Sequence, residues 1–148
     1  MSMFDYESKF LQSKEDLDDE TNGQRSSFSE EEVQKLLRQY PSLPEDYIRY
    51  LKEIGAGPFR ECQYEVFDEP CYFEDLYDIG CEFEAKRYIA FGQNFSGDTS
   101  VFDSKKGCEI LDFWHDSFEF YGKNLSFKCY IREKMLIGEN GEDLRENA

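Results

Sequence analysis

The chain has 148 residues, 33 acids against 17 bases, a formal net charge of −16 and an aromatic share of 17%. That length suits one domain with one hydrophobic core, and 14 Phe with 10 Tyr supply the large side chains to fill it, which excludes the disordered class. The negative charge argues against direct contact with nucleic acid or an anionic membrane, both of which demand Lys and Arg, and either favours a cationic protein as complement or serves solubility alone.

Residues 1–27 read as an acidic N-terminal arm, mobile or loosely docked, with a short helix over Phe4 to Leu11 and a turn signal at Asn22-Gly23. The first firm helix starts at Ser29, which forms a capping box with Glu32, with Phe28 at the staple position. Val33, Leu36, Leu37 and Tyr40 follow at helical spacing, and Pro41 stops the run. A second helix is carried by LPEDYIRYLKEIGAG: Pro44 suits its first turn, Glu45 and Asp46 its positive end, and Tyr47, Ile48, Leu51 and Ile54 form an apolar stripe. Gly55 and Gly57 provide the stop.

The period then changes. Gln63 to Asp68 is strand-like, and Phe73 to Ile79 reads as a short helix or an irregular loop. Arg87 to Gln93, Thr99 to Asp103 and Cys108 to His115 read as three strands joined by turns at 94–98 and 105–107, an antiparallel meander. A last helix is expected from Ser126 to Ile137, with Phe127, Tyr130 and Ile131 on its inner face, followed by a frayed polar tail over 138–148. The expectation is an α+β single domain, a mostly antiparallel sheet flanked by helices, with its body at residues 28–137.

The charge is unevenly placed. Residues 61–84 hold nine acids and no base, together with three Tyr and three Phe. A solvated face does not need so many aromatics, whereas protein interfaces combine aromatic anchors with charge. This predicts a partner-binding patch with Tyr64, Tyr72 and Tyr77 as anchors and Glu65, Asp68, Glu69, Glu74, Asp75 and Asp78 as the field, weighed against the alternative that the aromatics are core and the acids their exposed alternates.

Other constellations point away from chemistry. His115 is the only histidine, and adjacent strand residues face opposite ways, so Trp114-His115-Asp116-Ser117 is not a ready triad. The five cysteines are odd in number, lie eight or more residues apart and lack the close pair of a structural zinc site. Ser96-Gly97-Asp98 is a hairpin turn and not a phosphate loop. No catalytic, cofactor or metal residues are therefore expected. The absence of an apolar leader at Met1 to Leu11 and the unpaired thiols suggest a cytoplasmic protein with reduced cysteines.

Taken in order, the capped helix, the LPEDYIRYLKEIGAG segment with Leu43, Pro44, Tyr47, Tyr50, Leu51, Gly55 and Gly57, the hairpin Gly97-Asp98 leading to Asp103, and the closing Ser126, Phe127, Tyr130 and Ile131 resemble the SUKH superfamily of bacterial toxin-immunity proteins and fungal cell-wall-synthesis regulators. The resemblance spans about residues 28–137. It implies an α+β fold, no catalytic residues, and either neutralisation of a cognate toxin by direct binding, the toxin being cationic and plausibly a nuclease, or a regulatory scaffold role.

Overall fold

The structure is a computed structural model that describes residues 2–77 and 84–145. It is an α+β fold: among the described residues, six strands form one antiparallel sheet, in chain order, with four helices. The helices are α1 (Asp5–Lys14), α2 (Glu30–Gln39), α3 (Glu45–Glu53) and α4 (Phe127–Lys134). The strands are β1 (Gly57–Phe59), β2 (Tyr64–Tyr72), β3 (Tyr88–Asn94), β4 (Thr99–Asp103), β5 (Glu109–Trp114) and β6 (Glu119–Gly122).

The local signals are realised where they were strongest. Ser29 accepts from the Glu32 N–H at 3.2 Å while the Glu32 side chain accepts from the Ser29 N–H at 3.1 Å, closing the capping box of α2. The α3 stripe buries Tyr47, Ile48, Tyr50 and Leu51. Tyr47 sits at the centre of the main core, its ring edge-on to Phe102 and Phe127 at 5.2 Å each. Such pairs add about 0.5–1.5 kcal/mol each beyond the area they bury. Gly55, with φ of +104°, is required on two counts: a Cβ there would meet the Ser26 backbone at 2.5 Å, where residue 26 bridges to Ala56.

The sheet has two differently covered faces. The large core packs all four helices against Tyr64, Val66, Ile89, Phe91, Phe102 and Ile110. The opposite face carries a smaller cluster around Phe73, Ala90, Val101 and Phe113, with Tyr77, Tyr88 and Phe120 packed at its margin. Short 3-10 turns at Phe73–Asp75 and Ser104–Lys106 complete the fold. The first settles part of the ambiguous 73–79 stretch, and Asp78 and Ile79 lie outside the described residues.

Four expectations are corrected. The N-terminal arm is not loosely docked: Phe4, Glu7, Phe10 and Leu11 are buried, Phe4 lies edge-on to Tyr50, and the Glu53 carboxylate accepts from the N–H groups of Met3 and Phe4. The tail is not frayed as far as residue 145, because Asp143 is buried in an ion pair and residue 137 bridges to it. α4 stops at Lys134, its chain turning left-handed at Leu136. Finally β1 and β6, which the sequence did not announce, form the two edges of the sheet.

Candidate functional site

The acidic stretch falls on β2 and the turn that follows it. Between the pairs Val66↔Gly92 and Cys71↔Ala90, β2 runs through residues 67–70 while β3 contributes only Phe91. The extra length leaves the ladder as a bulge of several residues. The bulge thrusts Asp68 and Glu69 into solvent. Pro70, which cannot donate to a ladder, fits there, and its carbonyl accepts from the Tyr40 hydroxyl at 3.2 Å, pinning the bulge to the end of α2.

The predicted site residues separate into three groups. Asp68, Glu69 and Asp75 are exposed, Glu65 is half-exposed, and none of the four has a basic partner among the described residues. Glu74 is partly committed, accepting the Lys86 N–H at 2.6 Å. Tyr64 is withdrawn from the surface: at 1% exposure it is core, its hydroxyl donating to Ser100 Oγ at 2.7 Å, so it cannot serve as a docking anchor. Gly92 makes room for it, since a Cβ there would fall 2.3 Å from the Tyr64 hydroxyl. Tyr72 and Tyr77 are half-buried; Tyr72 leans on Tyr40 and Tyr77 packs on Phe73 and Phe113, with its hydroxyl 2.8 Å from Thr99 Oγ1. Asp78 lies outside the described residues. The tyrosines of the segment thus lean toward the core while Asp68, Glu69 and Asp75 face water, the arrangement of the alternative reading.

Some of these carboxylates bear on buried groups beside them. Burial raises the Tyr40 phenol above its ordinary value, and the negative groups of Tyr72, Cys71, Asp75 and Glu69 add to the rise. Burial likewise raises the Cys71 thiol, reinforced by Asp75 and Glu74. Beside the bulge, a groove of about 350 Å³ runs between β2 and α2. It is lined by the apolar Phe28, Leu36, Ala56 and Pro70 and by the polar Ser26, Glu32, Lys35, Gln39, Asp68 and Glu69.

A second polar concentration escaped the sequence reading. Tyr64 donates to Ser100, Ser100 lies 2.5 Å from the Tyr130 hydroxyl, and Tyr130 donates to Asp112. Lys123 and Lys134 approach the other Asp112 oxygen at 3.7 and 3.9 Å. This chain floors a small polar cavity of about 220 Å³ and ties α4 to the sheet. Its one legible sign was that Ser100 and Asp112 share strand parity with Phe102 and Ile110, positions where apolar residues belong. Burial raises both tyrosines far above the ordinary phenol value, so they remain neutral donors.

His115 is held at the rim between two carboxylates, Nδ1 at 2.8 Å from Asp98 and Nε2 at 3.1 Å from Asp116. Asp116 therefore reaches the ring despite strand alternation, because residue 115 lies beyond the end of β5. Burial pushes Asp98 up, but hydrogen bonds from the His115 ring and backbone and from Asn94 outweigh it and leave Asp98 below the ordinary range. The nearby Ser117 hydroxyl turns to Tyr121 at 3.4 Å. Among the described residues no group of three or more His, Cys, Asp or Glu is placed to hold a metal ion, and no helix is long and apolar enough to cross a membrane.

Comparison with protein-family models, with curated proteins and with solved structures returned no match.

Proposed function

We propose that this chain is a non-catalytic protein-binding domain that neutralises a cationic protein toxin by direct binding in the cytoplasm, its docking surface formed by the β2 bulge, the turn after it and the groove beside α2. The supporting observation is that Asp68, Glu69 and Asp75 are exposed and lack a basic partner among the described residues, beside a groove between β2 and α2. The resemblance to immunity proteins supports the same direction. Unpaired like charges repel one another at a cost to the free protein, and a positive partner removes that cost while speeding encounter. An interface of about 1,600 Å² in total and an affinity near −12 kcal/mol would give lasting protection.

Capture of the partner by the tagged chain from its native cells, followed by amide hydrogen exchange on the purified complex, tests the proposal. The expected result is a basic partner, inhibited when bound, whose binding protects amides in residues 64–77 and along α2. Protection confined to other parts of the surface would overturn the proposal. A partner bound at this surface with its activity intact would instead make the domain a regulatory scaffold.

A further inference from the structure

The pair β4–β5 changes character partway along the face that α4 covers. Phe102 and Ile110, opposite one another, belong to the main core. Two residues further along, the opposed pair is Ser100 and Asp112, 2% and 9% exposed. α4 changes in step, from Phe127 beside Phe102 to Tyr130 over Ser100 and then to Lys134. Stability alone favours apolar residues at such positions, since a buried ionic group is seldom worth more than a well-packed hydrophobic one. The polar groups instead line the cavity of about 220 Å³ described above, with Trp114 and Lys123 on its wall.

The hydroxyl bonds of the cavity run in one direction. Tyr130 donates to Asp112, so the Ser100 hydroxyl must donate to Tyr130, and Tyr64 donates to Ser100. These hydroxyl protons are therefore all spent within the chain. The two ammonium groups are not. Lys123 and Lys134 stand 3.7 and 3.9 Å from Asp112 Oδ2, beyond hydrogen-bond distance, and neither side chain donates to another group among the described residues. Lys134 lies over the Tyr130 ring at 4.9 Å, which holds it at the cavity. Two positive charges thus face one carboxylate, in a molecule of net charge −16. Asp98, also on the lining, is engaged by the His115 ring and backbone and by Asn94.

Trp114 supplies an apolar wall. It follows Asp112 by two residues on the same face, is 47% exposed, and lines the cavity with its ring 4.6 Å from that of Tyr121. We infer that the cavity binds a small organic monocarboxylate, whose oxygens accept from Lys123 and Lys134 and whose apolar part lies against the Trp114 ring. The excess of one positive charge over Asp112 matches one carboxylate. A phosphate dianion would bring more negative charge beside Asp112 and Asp98 than the two lysines offset. The volume keeps the ligand small, since it lies below the roughly 300 Å³ at which drug-sized sites begin.

None of the exposed carboxylates of the β2 bulge lines this cavity, so the inference stands independently of the docking surface proposed above. A ligand held by both lysines links the residue after β6 to the last residue of α4, and its binding should raise the melting temperature. Trp114 is the only tryptophan of the chain, so its fluorescence reports occupancy directly.

Titration of the full chain with sodium benzoate, against sodium chloride at matched ionic strength, tests it through Trp114 fluorescence and the melting temperature. The expected result is a saturable fluorescence change with a parallel rise in melting temperature. Lys134→Met and Lys123→Met should each weaken benzoate binding by about tenfold or more, the loss expected for one charge-assisted hydrogen bond. Asp112→Asn removes the competing carboxylate while keeping an acceptor for Tyr130, and should tighten benzoate severalfold. Lysines that serve only to balance Asp112 would give no such gain. Circular dichroism checks the fold of each variant, and the Asp112→Asn and lysine arms remain informative if the other unfolds. No saturable response to benzoate, undiminished binding by the lysine variants, no gain in Asp112→Asn, or inorganic phosphate bound more tightly than benzoate would each overturn the inference.

Discussion

Two regions of the molecule are rich in charge and handle it in opposite ways. Where the termini meet the β1–β2 hairpin, carboxylates are matched to arginines. Glu15 binds the Arg25 guanidinium at 2.6 and 2.9 Å and the Arg60 N–H at 2.8 Å. Asp143 holds buried Arg60 through two bonds of 3.1 Å, and Glu61 pairs with Arg145. On the bulge of β2 and the turn after it, Glu65, Asp68, Glu69 and Asp75 lack basic partners among the described residues. The first region spends its charge internally, closing N-terminus, hairpin and tail into one unit. The second leaves its charge available to another molecule. Sequence position hides this contrast, since Glu61 and Glu65 are four residues apart and belong to different regions.

The contrast is sharpest at Asp143. Arg60 and Asp143 side chains are 2% and 3% exposed, so Asp143→Asn leaves a buried guanidinium without its counter-ion. Urea unfolding should show a loss of about 3–5 kcal/mol, the size expected for breaking one side of a buried pair. A loss no larger than that of Asp75→Asn would erase the distinction between the regions.

The paired carboxylates should make stability sensitive to acid. Burial pushes Asp143 up, but bonds from the Arg60 guanidinium and the Arg145 N–H outweigh it and hold the carboxyl below the ordinary range. Asp103 is held low chiefly by Arg87, against its burial. A carboxyl whose folded pKa is depressed contributes stability above its unfolded pKa of about 3.9 and loses it as pH falls toward the folded value. Stability should therefore drop steeply below about pH 4, and Asp143→Asn should show a shallower drop. Equal slopes in parent and variant would contradict the role given to this pair.

Smaller effects probe the second region. Tyr40→Phe removes the bond that pins the bulge at Pro70 and should cost about 1 kcal/mol, with faster amide exchange over residues 67–71. Exchange rates unchanged there would show that the bulge is held otherwise. Smallest is the response of Cys71: with Asp75→Asn the local field weakens, its thiol pKa falls and alkylation near pH 8 should quicken. An unaltered rate would mean that the carboxylates do not act jointly at this point.

What the sequence disclosed follows from the range of the interactions involved. The capping box of α2 and the stripe of α3 depend on neighbours within a turn, and the hairpins of β3–β5 on turns of a few residues, so all were legible. β1 and β6 span three and four residues, too short for alternation to register. Helix α1 was recognised but not its docking, because its inner face includes Glu7, which is buried by an ion pair with Arg132 from the far end of the chain. The tail has little apolar sequence beyond Leu144, and its hold comes from Asp143, fixed by a charge 83 positions away. The candidate surface was half legible for a related reason. Composition located the acids, but which of them remain unpaired depends on arginines brought in by the fold. Tyr64 could have been assigned inward from its shared parity with Val66, and its burial beside Gly92 bears that out.

The central claim, that the unpaired carboxylates of the β2 region draw in a cationic protein, is tested most directly by stopped-flow association of the captured partner with the triple variant Asp68→Lys/Glu69→Lys/Asp75→Lys, across a salt series. The account predicts an unchanged unfolding midpoint and association slowed by about tenfold or more at low ionic strength, with the gap closing as salt rises. Association as fast as that of the parent at every salt concentration would contradict it.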